Sequence, residues 1–263
     1  MLPRVNLARG DEADYLLLAT NDLISRRLVQ GGGWEPHLVQ VTRTFTAGIQ
    51  RPLVLDVGAN LGGYCVPVGK ALQQAGGTVH AFEAQRIVFY QLCGNVFLNR
   101  LDNVFASHVA LGDRDATVTM PVPDYSALAN VGGFSLNEEF RKLNGTQGAM
   151  TAAVEQVNMA RLDSIEFPRP VNFIKLDVEG MEVDVLRGAV NCLERNAHPP
   201  IYFEAWSEAW FSREKEALLA FVRELGYEAV RLGVYDHLAQ HPGHPVQMAV
   251  SRESNRVELR RLK

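Results

Sequence analysis

The chain has 263 residues, 47% of them hydrophobic and 21% charged, which is enough apolar material for one large core and excludes a disordered chain. A net charge of −4 argues against a dedicated nucleic-acid binder, which carries a basic face, and no apolar stretch approaches the roughly 18 residues that a membrane span needs. The N-terminal segment has neither a long apolar run nor a small-residue cleavage site, so a cytoplasmic protein without membrane or nucleic-acid partners is expected.

Apolar residues recur at helical spacing from Asp11 to Gln30 until Gly31-Gly32-Gly33 stops them, and a second helix is expected over Glu35 to Ile49. Residues 1–50 thus read as an N-terminal helical extension, and residues 51–263 as the main domain. After Arg51-Pro52, Leu53 to Val57 reads as a buried strand. Helix (Tyr64–Ala75), strand (Thr78–Glu83), helix (Ile87–Leu98) and strand (Val104–Leu111) follow, the alternation of right-handed βαβ units in a parallel sheet. Ala116 to Val122 and Val154 to Arg161 read as extra edge strands around a long glycine-bearing loop, Pro123 to Ala153, expected to cover a site. Strand Val171–Val178, helix Met181–Arg195, strand Ile201–Ala205 and helix Lys215–Leu225 resume the pattern. Tyr227–Leu232 and Val246–Ser251 are expected to close the sheet as an antiparallel pair. The fold class is α/β, a mostly parallel seven-stranded sheet with helices on both faces.

The first strand runs through Asp56 into Gly58-Ala59-Asn60-Leu61-Gly62-Gly63-Tyr64, where small residues let a ligand approach the main chain at a helix N-terminus. Glu83 ends the second strand, where an acid accepts hydrogen bonds from ribose hydroxyls. Asn60 stands where a dinucleotide fingerprint has its second glycine, and no Tyr-x-x-x-Lys pair is present, so a dehydrogenase fits poorly. S-adenosylmethionine fits better, with its ammonium on Asp56 directly or through water and its carboxylate on the loop N–H groups. Lys175, Asp177 and Glu179 alternate along the fourth strand and its end, beside the first strand at the switch point of the sheet. A carboxylate there suits methyl transfer to an alcohol, as general base or as orienting acceptor.

Cys65, Cys93 and Cys192 lack the spacing of a zinc site or a disulfide framework. His237, His241 and His244, among Pro242, Gly243 and Pro245, read as a surface turn. No metal ligand is assigned; the best-placed donors for a divalent ion are Asp177, Glu179 and Glu204.

The blocks VLDVGANLGGY (54–64), HAFEAQ (80–85), VALGD (109–113), GGFSL (132–136) and IKLDVEGMEVDVLRGA (174–189) resemble the FkbM-type methyltransferase family, as does GGWEP (32–36) upstream. The resemblance implies a Rossmann-like methyltransferase fold, S-adenosylmethionine as donor, and a hydroxyl acceptor on a small molecule, secondary metabolite or glycan. It assigns Gly58, Asn60, Gly62 and Glu83 to the cofactor, with Tyr64, Ala84 and Ala110 beside them. Asp177 and Glu179 fall on the acceptor side, joined by Lys175, Glu204, Glu35, Ser135 and Trp206. N-methylation of an amide side chain in a peptide is the alternative reaction, and a non-catalytic nucleoside-binding module the alternative of another class.

Overall fold

The computed structural model describes residues 2–10, 12–18, 22–126, 132–253 and 256–262. Its central sheet contains β1 (Leu53–Val57), β2 (Thr78–Glu83), β3 (Val104–His108), β4 (Phe173–Leu176), β5 (Ile201–Glu204), β6 (Glu228–Arg231) and β7 (Asp236–Gln240). The lateral order is β6-β7-β5-β4-β1-β2-β3. β7 runs antiparallel to both its neighbours, and the other pairings are parallel. The chain steps outward from β1 through β2 to β3, then crosses back so that β4 lies on the other side of β1. A crevice opens at that reversal, at the carboxyl ends of the strands.

Strands covered on both faces are apolar without interruption, and side-chain alternation sends their residues into two separate cores. Val54, Val79, Phe173 and Tyr202 join one core, while Leu53, Leu55, Ile174 and Phe203 join the other. Helices Cys65–Leu72, Arg86–Leu98, Glu182–Arg187 and Ser212–Glu224 fill the crossovers. The helix expected over Met181–Arg195 is broken at Gly188-Ala189 into Glu182–Arg187 and Val190–Arg195.

The N-terminal extension differs from the expectation. Asp11–Gln30 is not one helix: Val5–Arg9 and Asp14–Leu18 form an antiparallel hairpin, followed by the short helix Leu23–Val29. The open edge of the hairpin is held by side-chain amides of helix Arg86–Leu98 and of Asn99, which caps its end. The Leu16 N–H donates to Asn95 Oδ1 (2.6 Å), the Asp14 N–H to Asn99 Oδ1 (3.1 Å), and Gln91 Nε2 donates to the Leu16 carbonyl (2.8 Å). Helix Pro36–Thr46 forms as expected and lies against β4, with the Phe45 and Phe173 rings 5.6 Å apart.

The edge strands also form, as Ala116–Pro123 and Met150–Ala160 in a small sheet with Ala110–Leu111. Between them the expected loop contains helix Glu138–Leu143 and a 3₁₀ turn at Gln147–Ala149; residues 127–131 lie outside the described ones. At the C-terminus, the expected pairing of Tyr227–Leu232 with Val246–Ser251 is replaced. β6 pairs with β7, and Met248–Glu253 forms its own hairpin with Arg256–Arg261. His237 therefore sits in a buried strand, its ring stacked on Phe203, and His244 is buried too, rather than on a surface turn. Among the described residues no helix is long and apolar enough to cross a membrane.

Because Phe45 is 1% exposed, Phe45→Ala should cost about 3–5 kcal/mol of folding free energy in urea denaturation. A loss below about 1 kcal/mol would mean that the extension is not part of the same core.

Candidate functional site

The turn after β1 is shaped by contact with the turn after β4. Gly58 has φ +78°, and a Cβ placed on it would lie 1.8 Å from the carbonyl oxygen of Asp177, so only glycine fits between the two backbones. Asn60, at φ 50°, adopts the left-handed conformation that asparagine tolerates. Its N–H donates to Glu83 Oε2 (2.9 Å), and the Gln85 N–H donates to Glu83 Oε1 (2.7 Å). Glu83 thus ties the end of β2 to the turn. Burial pushes its pKa up to about 7, against the lowering effect of these N–H groups.

Lys175 joins the two turns from beneath. Its Nζ donates to the Gly58 carbonyl (2.6 Å) and lies 3.2 Å from Asp56 Oδ1 and 3.3 Å from Asp177 Oδ2. Burial opposes its charge, but Asp56, Asp177 and Glu35 outweigh it and hold the ammonium form above its ordinary range. Asp56 is fully buried, and burial raises its pKa while Lys175 lowers it.

Beyond β4 the chain turns through Glu179, at φ 52°, and Gly180. Glu182 organises this turn, its carboxylate accepting from the Val178 N–H (3.1 Å) and the Gly180 N–H (3.1 Å). It was not anticipated; the acid two residues past the glycine was its sequence signal. Above the turn, Phe140 packs on Gly180 and meets the Trp206, Trp210 and Phe211 rings edge-on.

A cavity of about 420 Å³ lies over these elements, within the range of small-molecule sites. Of the residues singled out in the sequence, Gly58, Asn60, Tyr64, Glu83, Ala84 and Ala110 line it, together with Glu35, Lys175, Asp177, Glu179, Glu204 and Trp206. Asp56, Gly62 and Ser135 do not. The Asp56 carboxylate is turned to Lys175 below the turn, Gly62 packs on Leu92 and Val66, and the buried Ser135 hydroxyl accepts from the Asn137 N–H (3.0 Å). The Tyr64 hydroxyl is engaged by Thr42 Oγ1 (2.7 Å) of the extension. Trp34, Phe134, Tyr235 and Asp236 line the cavity without having been anticipated.

One end of the cavity is acidic. The carboxylate oxygens of Glu35, Glu204 and Asp236 lie within 4.8 Å of one another, a different grouping from the expected Asp177, Glu179 and Glu204. Burial and the charge of Asp177 push Glu35 up to about 7 and Glu204 up to about 9. Burial, then Asp177 and Glu204, raise Glu179 well above the usual carboxylate range.

The profile of the methyltransferase FkbM domain matches residues 56–229, from the end of β1 into β6. The chain belongs to the FkbM methyltransferase family. Methyltransferase 1 of Beauveria bassiana (strain ARSEF 2860) is 27% identical over 144 residues, covering 51% of this chain and 57% of that one, so the chain spans little more than half the length of this curated relative. The solved methyltransferase FkbM from Methylobacillus flagellatus KT is 16% identical, covers 82% of this chain and 52% of its own, and superposes with a TM-score of 0.47. The Pyrococcus abyssi tRNA (uracil-54, C5)-methyltransferase, solved with S-adenosyl-L-homocysteine, is 15% identical over 89% of this chain and 42% of its own, with a TM-score of 0.46.

The acidic end of this FkbM-family domain dictates a pH dependence. Carboxyls raised by folding keep their protons where the unfolded chain has lost them, so folding stability falls as pH rises from the ordinary value of 4.5 towards the raised values. Burial lowers the pKa values of His237, His244 and the half-buried His80, which act in the opposite direction, but only below their ordinary 6.5. The ligand-free protein should therefore melt at a lower temperature at about pH 9 than at about pH 7, and Glu204→Gln should flatten that fall. An equal or higher melting temperature at the alkaline end would contradict the burial of these carboxyls.

Proposed function

We propose that this domain transfers a methyl group from S-adenosylmethionine to a hydroxyl of a small molecule, secondary metabolite or glycan in the cytoplasm. What supports the reading is one cavity that runs from the glycine turn and Glu83 to a cluster of carboxylates, in a chain of a methyltransferase family.

The donor fits the residues present. Glu83 already accepts two backbone N–H bonds and retains lone pairs towards the cavity for ribose hydroxyls. The turn at Gly58, Ala59 and Asn60, with its small side chains, would take the amino-acid part, and the apolar Ala84 and Ala110 would border the base. Gly62 shapes the turn from behind, and Asp56 acts through Lys175. S-adenosylmethionine, when bound, supplies an electrophilic methyl group on a sulfonium.

The acidic end does the rest. Asp177, fixed by Lys175, accepts a hydrogen bond from the acceptor hydroxyl and aims an oxygen lone pair along the line of transfer. On methyl transfer to that oxygen the hydroxyl proton would pass to a carboxylate oxygen of Asp177, while Glu179, raised well above the usual carboxylate range by burial, Asp177 and Glu204, would orient the acceptor. Glu204, whose pKa burial and the charge of Asp177 push up to about 9, lies beside them on the acceptor side. Glu35 and Trp206 bound the acceptor's space, and Ser135 supports the segment above it.

Isothermal titration of S-adenosylmethionine is expected to show binding to the wild type and at least about tenfold weaker binding to Glu83→Ala, since a hydrogen bond to a charged group contributes about 1.5–3 kcal/mol. Asp177→Asn should keep donor binding and lose about 10²–10⁴ of turnover on a hydroxyl-bearing acceptor pool, and Glu179→Gln should keep donor binding with a smaller loss, with products sorted into O- and N-methyl species by mass spectrometry. Full turnover in both variants would remove the proposed acceptor chemistry, and N-methyl products would reassign the acceptor.

A further inference from the structure

Arg141 is a buried cation that none of these steps uses. It lies in helix Glu138–Leu143, is 5% exposed, and among the described residues no carboxylate lies within ion-pair distance of it. Burying a guanidinium without an anion is costly unless its donors find partners, and here Nη1 and Nε find them in the segment before the helix and in Gln147 after it. Nη1 donates to the carbonyls of Ser135 (2.7 Å) and Leu136 (2.9 Å), Nε donates to Gln147 Oε1 (3.0 Å), and the guanidinium carbon sits 5.6 Å from the centre of the Phe134 ring.

The segment so held borders the cavity. Gly132, Phe134 and Leu136 line it, and Phe134 shares an apolar cluster with Ala110, against which Ala84, Leu136 and Met181 pack. Ala84 and Ala110 are the residues proposed to border the base. The same helix reaches the other end of the cavity through Phe140, which packs on Gly180 in the turn that carries Glu179. Asn137 fixes the helix start by accepting from the Glu139 and Phe140 N–H groups, so Arg141 and Phe140 project from a capped, rigid turn.

We propose that Arg141 is a positioning residue that holds Gly132–Leu136 closed over the nucleoside end of the cavity and thereby sets the residence time of the donor. The proposal rests on the reading of this cavity as the S-adenosylmethionine site. A planar guanidinium suits the task, because it bonds two successive carbonyls through Nη1 and Gln147 through Nε while lying over a ring, and a lysine ammonium lacks the rigid fork that joins all of these at once. When the segment is released, the fraction of molecules with a formed roof falls, and the apparent affinity falls with it.

The test is titration and stopped-flow dissociation of S-adenosylmethionine with the full chain, as wild type, Arg141→Ala and Arg141→Lys. Arg141→Ala is expected to bind about tenfold or more weakly through faster dissociation, with association little changed, and millimolar guanidinium chloride should restore affinity where equal sodium chloride does not. A role in folding alone would lower the melting temperature without changing the dissociation rate of the folded fraction, and that result overturns the proposal. If Arg141→Ala does not fold, Arg141→Lys decides: faster dissociation upholds the proposal, and wild-type kinetics overturn it. Absence of binding to the wild type overturns the donor reading itself, and so is distinguishable from failure of the Arg141 proposal.

Discussion

The site depends on one buried ammonium. Lys175 lies on β4, in the middle of the sheet, and bonds to the Gly58 carbonyl, to Asp56 at the end of β1 and to Asp177 beyond its own strand. Without it, the fully buried Asp56 carboxylate would lose its counter-charge beside the cavity-facing Asp177, and the turns after β1 and β4 would lose the charge that draws them together. The contact that admits only glycine at position 58 is the steric side of the same arrangement. Electrostatics brings the backbones close, and the missing Cβ allows it.

The extension completes the cavity as well as the core. Trp34 and Glu35 enter it from the chain just before helix Pro36–Thr46, and Glu35 does so from a left-handed backbone conformation, φ 45°, that costs a residue with a side chain of order 1 kcal/mol. Thr42 engages Tyr64 behind the glycine turn, and His37 Nε2 lies 3.1 Å from the Tyr202 hydroxyl on β5. These contacts link residues far apart in sequence. They explain why the acidic end includes Glu35 and Asp236, which approach Glu204 only after the extension and β7 have both docked.

The parts of the fold that could be read from the sequence are those whose signal is local. β1, β2 and β5 are runs of branched and aromatic residues covered on both faces, and their ends are marked by glycine, proline or acid. The hairpin at Val5–Leu18 was hidden because Leu16 and Leu17 continue into Leu23 and Leu28 at helical spacing, and because Asn95 and Asn99, which satisfy its edge, lie some 80 residues away. β7 was hidden by its polarity: Asp236, His237 and Gln240 are strand residues whose polar groups find partners only in the folded chain, as when Gln240 bonds to both the N–H and the carbonyl of Met248. In the site, motif residues fell on the cavity because they shape backbone turns. The exceptions, Asp56, Gly62 and Ser135, support it from behind, and alternation along a strand does not distinguish a carboxylate that faces a ligand from one that faces a lysine.

The claim that one ammonium holds the site together is tested most directly by a double-mutant cycle on folding stability with Lys175→Met and Asp56→Asn. Lys175→Met alone is expected to lose about 3–5 kcal/mol, because it strands a buried carboxylate, and adding Asp56→Asn to recover part of that loss, for a coupling above about 1 kcal/mol. Additive losses would mean that the two side chains act independently and that something else joins the turns.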